Sequence, residues 1–305
     1  MQIGILGLPF TGKTTIFNAL TGLSAPTGRY SDGPGESNLG MVAVPDERVE
    51  RLAELYKSKK KTYETIEFHD VGGLKKGAGQ DSGLSASLLG QLRDMDALAI
   101  VVRVFDRESV PHPDGRIDPV ADLEMMLGEL MLADLAIAEK RVQKLEELLG
   151  KGVQEDRDKR IHEKDVLERV VKALNDSIPI RDLDFKGEEL IALRSYGFLT
   201  QKPALVLANV GDLTEDEQIK RVEALKKAAG EYKVGCAAIN GDIECELREI
   251  TDPEEQQEYM EAMGIEERAA STVIRAAYDI TNSMTFLTAG EKESRAWQVR
   301  EGSSA

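Results

Sequence analysis

The segment Gly7-Leu8-Pro9-Phe10-Thr11-Gly12-Lys13-Thr14, set directly behind the apolar run Ile3-Gly4-Ile5-Leu6, constrains this chain more than any other feature. Its spacing is G-x-x-x-x-G-K-[ST]. An apolar strand before it and a helix-forming run after it are the setting in which that spacing builds a phosphate-binding loop. The glycines let the backbone bend so that successive N–H groups turn inward on phosphates, backed by the positive end of the next helix. Pro9, Phe10, Thr11, Gly12, Lys13, Thr14 and Thr15 would then line the phosphates. Lys13 would reach the β- and γ-phosphates as a point charge, and the Thr14 hydroxyl would coordinate Mg²⁺. The expected ligand is a nucleoside triphosphate, ATP or GTP, with Mg²⁺ as cofactor.

Short apolar runs recur between helical stretches at 2–7, around 40–45, 64–71, 97–105, 203–210 and 234–239. That alternation predicts an α/β fold with a mostly parallel sheet, helices on both faces and ligands at the carboxyl ends of the strands. Residues 119–199 differ in character. Leu123, Leu127, Leu130, Ile137, Leu145 and Leu148 fall on one helical face, Gly150 and Gly152 end that helix, and Leu167, Val170, Val171 and Leu174 begin another. The pattern predicts a coiled-coil-like helical hairpin inserted into the sheet domain. Later, Asp252 followed by Pro253 predicts a helix start, Gly264 its stop, and Met284 to Leu287 a strand.

The formal charge of −16 over 305 residues argues against non-specific binding to nucleic-acid phosphates or anionic membranes. Local basic runs exist, at Lys57-Ser58-Lys59-Lys60-Lys61 and mixed with acids over Lys151 to Lys164. No apolar run approaches the ~18 residues that a membrane span needs, so no membrane partner is expected and a cytoplasmic location is. Cys236 and Cys245 lack metal-ligand spacing and read as reduced thiols.

Two further elements narrow the class. Asp70 ends the run Thr65-Ile66-Glu67-Phe68-His69 and opens Asp70-Val71-Gly72-Gly73, a D-x-x-G pattern. An acid there can hold Mg²⁺ through water, while the Gly73 N–H can bond the γ-phosphate. Leu74 stands where a switch nucleotidase usually keeps a polar group to orient water. The passage Asn209-Val210-Gly211-Asp212 follows the apolar run Leu205 to Ala208 and is an N-K-x-D motif without its lysine, which assigns Asn209, Val210 and Asp212 to the base. Asn240-Gly241-Asp242 lies where a last base loop would fall, with the Gly241 N–H as donor and Asn240 beside it.

With these motifs placed, the chain resembles the Obg-like ATPases of the YchF type, a branch of the translation-factor-related P-loop GTPases. The passages that carry the resemblance are Asp70 to Ala78 with Val101 to Phe105, then His112, Gly115, Asp118-Pro119 and Asp122, then Thr288 to Glu293 with Arg295-Ala296-Trp297. It implies a Ras-like nucleotidase (G) domain over 1–118 and 200–283, a coiled-coil insertion over 119–199, and the beginning of a truncated TGS β-grasp domain over 284–305. It implies ATP in preference to GTP, and a ribosomal or structured-RNA partner for the insertion and TGS region. His112 matches a family position and could swing in to orient the attacking water. Phe10 replaces the family's usual asparagine, Pro34 its switch threonine, Asp212 its usual glutamate, and Asn240-Gly241-Asp242 its Ser-Ala-Lys loop. Slow hydrolysis by a molecular switch is the expectation, with Lys13, Asp70, Gly73 and His112 as catalytic residues and Thr14 and Asp70 at the metal. A GTP-specific switch and a nucleotide-dependent scaffold with negligible hydrolysis are the competing readings.

Overall fold

The computed structural model describes residues 1–25, 38–71, 84–112, 115–150, 156–211 and 216–303. Among the described residues six strands form the main sheet: β1 (Gln2–Gly7), β2 (Asn38–Ala43), β4 (Thr65–Asp70), β5 (Ala97–Arg103), β6 (Ala204–Asn209) and β7 (Gly235–Ile239). Their order is β2-β4-β1-β5-β6-β7, parallel throughout except for β2, which runs antiparallel on β4 at the edge. Every residue of β5 and β6 is buried. Continuous apolar runs are what strands covered by helices on both faces require. The expected α/β architecture is the observed one.

Alternate side chains of each strand feed two cores. Leu6, Leu98, Ile100, Val102 and Val206 meet α3 (Ala86–Asp94), α4 (Pro119–Gly150) and α7 (Asp216–Glu231) on one face. Ile3, Ile5, Phe68, Val101 and Leu207 meet α1 (Lys13–Thr21) and α10 (Ala269–Ile280) on the other. Both layers end at the carboxyl edge of the strands, where the loops that follow β1, β4, β5, β6 and β7 converge.

Helix α4 has 32 residues and is about 48 Å long at 1.5 Å per residue. Its first turns bury Leu123, Met126, Leu127 and Leu130 against the sheet. Its distal part buries Ala138 and Leu145 against Val166, Leu167, Val170 and Leu174 of α5 (Arg157–Asn175). One helix thus belongs to two cores. Arg141 forms a two-pronged ion pair with Glu163 across the hairpin, at 2.7 and 2.9 Å. Burial works against it, but the hydrogen bonds from Arg141 and Tyr196 hold the Glu163 carboxyl below the usual range.

Asp134 pins α4 to the segment that leads into β6. Its carboxylate, fully buried, accepts from Leu199 N at 2.9 Å, Thr200 N at 2.7 Å and Thr200 Oγ1 at 2.7 Å. Burial raises its pKa, and those three bonds pull against that rise. No alternative partner in water is open to the two N–H groups.

The remaining strands, β3 (Lys61–Thr62), β8 (Ser283–Ala289) and β9 (Ser294–Arg300), build a second, small sheet in the order β3-β9-β8. The lysine run therefore does more than end α2 (Glu47–Tyr56). Lys57 terminates that helix in a left-handed conformation, and the following residues pair with the C-terminal hairpin: Lys59 N donates to Glu291 O, and Ser294 N to Lys60 O. Met284, Phe286 and Trp297 lie on an exposed face of the small sheet, while Ser294 and Ala296 are buried on the other. The expected start at Asp252 holds: its carboxylate accepts from Glu254 N at the head of α9 (Pro253–Ala262), with Pro253 first in the helix. Cys236 and Cys245 are both free thiols, and burial pushes Cys236 up to about 11. Among the described residues no helix is long and apolar enough to cross a membrane.

Replacing Asp134 by alanine leaves two buried N–H groups without acceptors. The expected loss is about 2–4 kcal/mol of unfolding free energy, read from denaturant melts of Asp134→Ala against the parent chain.

Candidate nucleotide site

The loop after β1 carries two residues with positive φ, Phe10 at 62° and Gly12 at 86°. Gly12 leads directly into α1, whose first N–H groups have no partner within the helix. A Cβ at Gly12 would lie 2.2 Å from Asn209 Nδ2, so space as well as φ demands glycine. Phe10 has no such freedom. A bulky side chain in the left-handed region is strained, and such strain concentrates where a loop must present its backbone to a ligand.

Inside the loop, Thr11 Oγ1 donates to Leu8 O at 3.0 Å, and Lys13 Nζ reaches back over the loop to the same carbonyl at 2.9 Å. Lys13 is buried, so its ammonium is held at the loop rather than in solvent. Pro9 and Thr15 flank this arrangement, half-buried. Thr14 Oγ1 donates to Asp70 Oδ2 at 2.9 Å. The other carboxylate oxygen, Asp70 Oδ1, is buried and has no hydrogen-bond partner. An anionic oxygen left bare in the interior is costly unless a cation or its bound water faces it. Among the described residues no group of three or more His, Cys, Asp or Glu could hold a metal. A hydroxyl and one carboxylate, with the phosphates themselves as the remaining ligands, is the donor set that suits Mg²⁺. These residues fit the ion.

Asn209, at the end of β6, ties the site together. Its Nδ2 donates to Thr11 O at 2.9 Å and its Oδ1 accepts from Gly241 N at 3.3 Å. One amide thereby joins the phosphate loop to the loop that opens α8 (Gly241–Glu249). Val210 is buried, with its N–H on Ile239 O at 2.8 Å. Asn240 caps α8 through Oδ1 to Ile243 N and donates from Nδ2 to Gly211 O at 2.9 Å. Both loops assigned to the base are therefore cross-braced on the carboxyl edge. Gly73 and Asp212, together with Pro34 and Leu74, lie outside the described residues.

His112 pairs with the start of α4. Its Nε2 lies 3.1 Å from Asp122 Oδ2 in the first turn of α4, and the two side chains are 4% and 5% exposed. It is thus not a solvated loop histidine. Arg103, which no motif marks, is almost wholly buried at the end of β5. Its Nε donates to Phe105 O at 3.1 Å, its Cζ stacks 4.4 Å from the Phe105 ring, and its Nη1 has no hydrogen-bond partner. A lone cation within Val101-Val102-Arg103-Val104 was the signal.

The sequence profile of a family described as 50S ribosome-binding GTPase matches residues 2–140. The ribosome-binding ATPase YchF of Haemophilus influenzae is 38% identical over 307 residues, and that of Bacillus subtilis 35%. In each case the whole of this chain is aligned to 82% of the relative. The structure of the Schizosaccharomyces pombe YchF GTPase superposes with a TM-score of 0.80 at 28% identity, covering all of this chain and 82% of that one.

Two substitutions test the site's construction. Asn209→Ala removes both braces and is expected to weaken Mg·ATP binding about tenfold or more, since one to two such bonds are each worth roughly 0.5–1.5 kcal/mol; unchanged affinity by titration calorimetry contradicts the assignment. Phe10→Asn places a residue tolerant of positive φ in the loop and should raise stability by about 1 kcal/mol, read from the unfolding midpoint.

Proposed function

The chain belongs to the YchF family of ribosome-binding ATPases, and from that premise we propose that it binds Mg·ATP in the loop 7–15 and hydrolyses it slowly, as a switch read by the ribosome. The observation that carries this reading is the Thr14–Asp70 contact with its bare, buried Asp70 Oδ1. It makes sense as a cation seat at the mouth of a phosphate loop.

In this reading Lys13 exchanges the Leu8 carbonyl for phosphate oxygens, and the α1 N-terminus presents its N–H groups to the same charge. Thr14 would hold Mg²⁺ directly and Asp70 through water. When bound, the ion supplies charge neutralisation on the β- and γ-oxygens. Gly73 would donate its N–H to the γ-phosphate. Asn209 holds the loops against which the base rests, and Val210, Asp212, Asn240 and Gly241 complete that wall. His112 orients the attacking water after leaving its position on Asp122, because Leu74 has no polar group with which to do so. Positioning and electrostatics carry phosphoryl transfer, so a site that must recruit its water-orienting group turns over slowly.

We read residues 1–118 and 200–283 as the nucleotidase domain, 119–199 as the insertion and 284–305 as the opening of the TGS domain. The insertion and the small sheet are the surfaces offered to the ribosome or its RNA, in the cytoplasm. ATP is favoured over GTP by the naming of the bacterial relatives. The scaffold alternative has no observation of its own.

Phosphate release over an overnight incubation should be measurable for the parent chain and lost, by about a hundredfold or more, in Lys13→Ala. Parallel titrations should give tighter binding of Mg·ATP than of Mg·GTP; a preference for GTP would overturn the assignment of substrate. His112→Ala should retain nucleotide affinity and lose at least about tenfold in turnover.

A further inference from the structure

Helices α1 and α8 are joined along their whole length. At the head of α8, Gly241 N donates to Asn209 Oδ1 at 3.3 Å, and a Cβ on Gly241 would lie 3.2 Å from both Thr15 Cγ2 and Ile16 Cδ1. One turn on, Cys245 Sγ donates to Thr15 O at 3.9 Å. In the last turn Arg248 spreads its guanidinium over the C-terminus of α1. Its Nη1 donates to Asn18 O at 3.1 Å and Leu23 O at 2.7 Å, and its Nη2 to Gly22 O at 2.9 Å. Carbonyls at a helix end look outside the helix for donors, and the negative end of the dipole favours a cation there.

The carbonyls that Arg248 grips sit on a fixed frame. Gly22 ends α1 in a left-handed conformation. Asn18, 7% exposed, then holds the next turn of chain, donating from Nδ2 to Ala25 O and accepting at Oδ1 from Ala25 N, both at 2.9 Å. Helix α8 is held as firmly from α10: the buried Glu244 carboxylate accepts from Ala269 N at 2.6 Å and from Arg268 Nε at 2.9 Å.

The two helices start from different parts of the nucleotide site. Helix α1 leaves the phosphate loop, and α8 leaves Asn240-Gly241 in the wall assigned to the base. A ligand gripped at both ends depends on the distance between these two starts. With nine residues α8 is a rod about 14 Å long. A rod fixed at its head and middle still tilts unless its tail is fixed as well, and Arg248 fixes the tail on α1.

We propose that Arg248 is a positioning residue for the nucleotide: by clasping the C-terminus of α1 it sets the angle between α1 and α8, and with it the spacing between phosphate loop and base wall. It acts through the two helices and not by touching substrate. The proposal rests on the reading of loop 7–15 as the phosphate seat and of Asn240 and Gly241 as part of the base wall. Loss of the clasp then weakens a ligand that spans both loops and leaves alone one that fills the phosphate loop only.

The test is titration calorimetry of Mg·ATP and of Mg·tripolyphosphate on the full chain, parent against Arg248→Met. Methionine keeps an unbranched apolar stem and removes every donor. The expected result is Mg·ATP binding weaker by about fivefold or more, as the loss of charge-assisted bonds reaches the site, with Mg·tripolyphosphate within about twofold of the parent. KM for ATP should rise by the same factor at nearly unchanged kcat, the signature of lost uniform binding. Arg248→Lys returns the cation without the planar fork and should recover part of the affinity; where Arg248→Met does not fold, it carries the same comparison at smaller amplitude. A merely structural arginine predicts equal losses for the two ligands, or none for either. Both results overturn the clasp and leave the nucleotide reading standing. A parent chain that binds Mg·ATP no tighter than Mg·tripolyphosphate overturns the base wall and the clasp with it, and one that binds neither overturns the phosphate seat.

Discussion

The absence of a Cβ at Gly12 lets Thr11 and Asn209, 198 positions apart in the chain, meet through one amide at 2.9 Å. Much of the site follows from this approach. The amide holds the phosphate loop open over α1, and through Gly241 it fixes the start of α8 on the same edge. That edge exists because β5 and β6 are buried along their whole length, so the chain can turn only where the strands end. A parallel sheet sends all its returning loops to the same side, and the ligand-binding groups accumulate there.

The electrostatics of the site consist of unfinished contacts. Asp70 is bonded to Thr14 through one oxygen and bare at the other; Arg103 is bonded at two nitrogens and bare at the third. Buried polar groups without a partner are uncommon in protein interiors. Lys13 is the opposite case, an ammonium hydrogen-bonded to the loop's own Leu8 carbonyl. The loop's shape is fixed by its own hydrogen bonds.

Helix α4 connects this chemistry to the rest of the molecule. Its first turn holds Asp122, its next turns belong to the sheet core, and Asp134 then fixes it to the entry of β6 before the helix leaves to join α5. The helix thus joins the sheet core to the hairpin. The small sheet is tied in differently, by backbone pairing between the segment after α2 and the C-terminal hairpin, with an apolar face turned outward.

Local physics was enough for much of this. Period and composition marked the strands at 2–7, 64–71, 97–105, 203–210 and 234–239, because a strand buried on both faces must be apolar throughout, and Gly7 to Thr14 declared its phosphate chemistry because only that spacing turns N–H groups inward before a helix. The stripe from Leu123 to Leu148 predicted the long helix, though not that its two ends would serve different cores. Tertiary structure alone decided that Asn209 braces the loops, that His112 is buried on Asp122, that Arg103 is buried with its Nη1 unpartnered, and that the lysine run pairs with a hairpin more than two hundred residues later. Each of these is a contact between distant segments, and its energy depends on burial and on which polar partners remain, quantities that residue order does not contain until the chain has closed on itself.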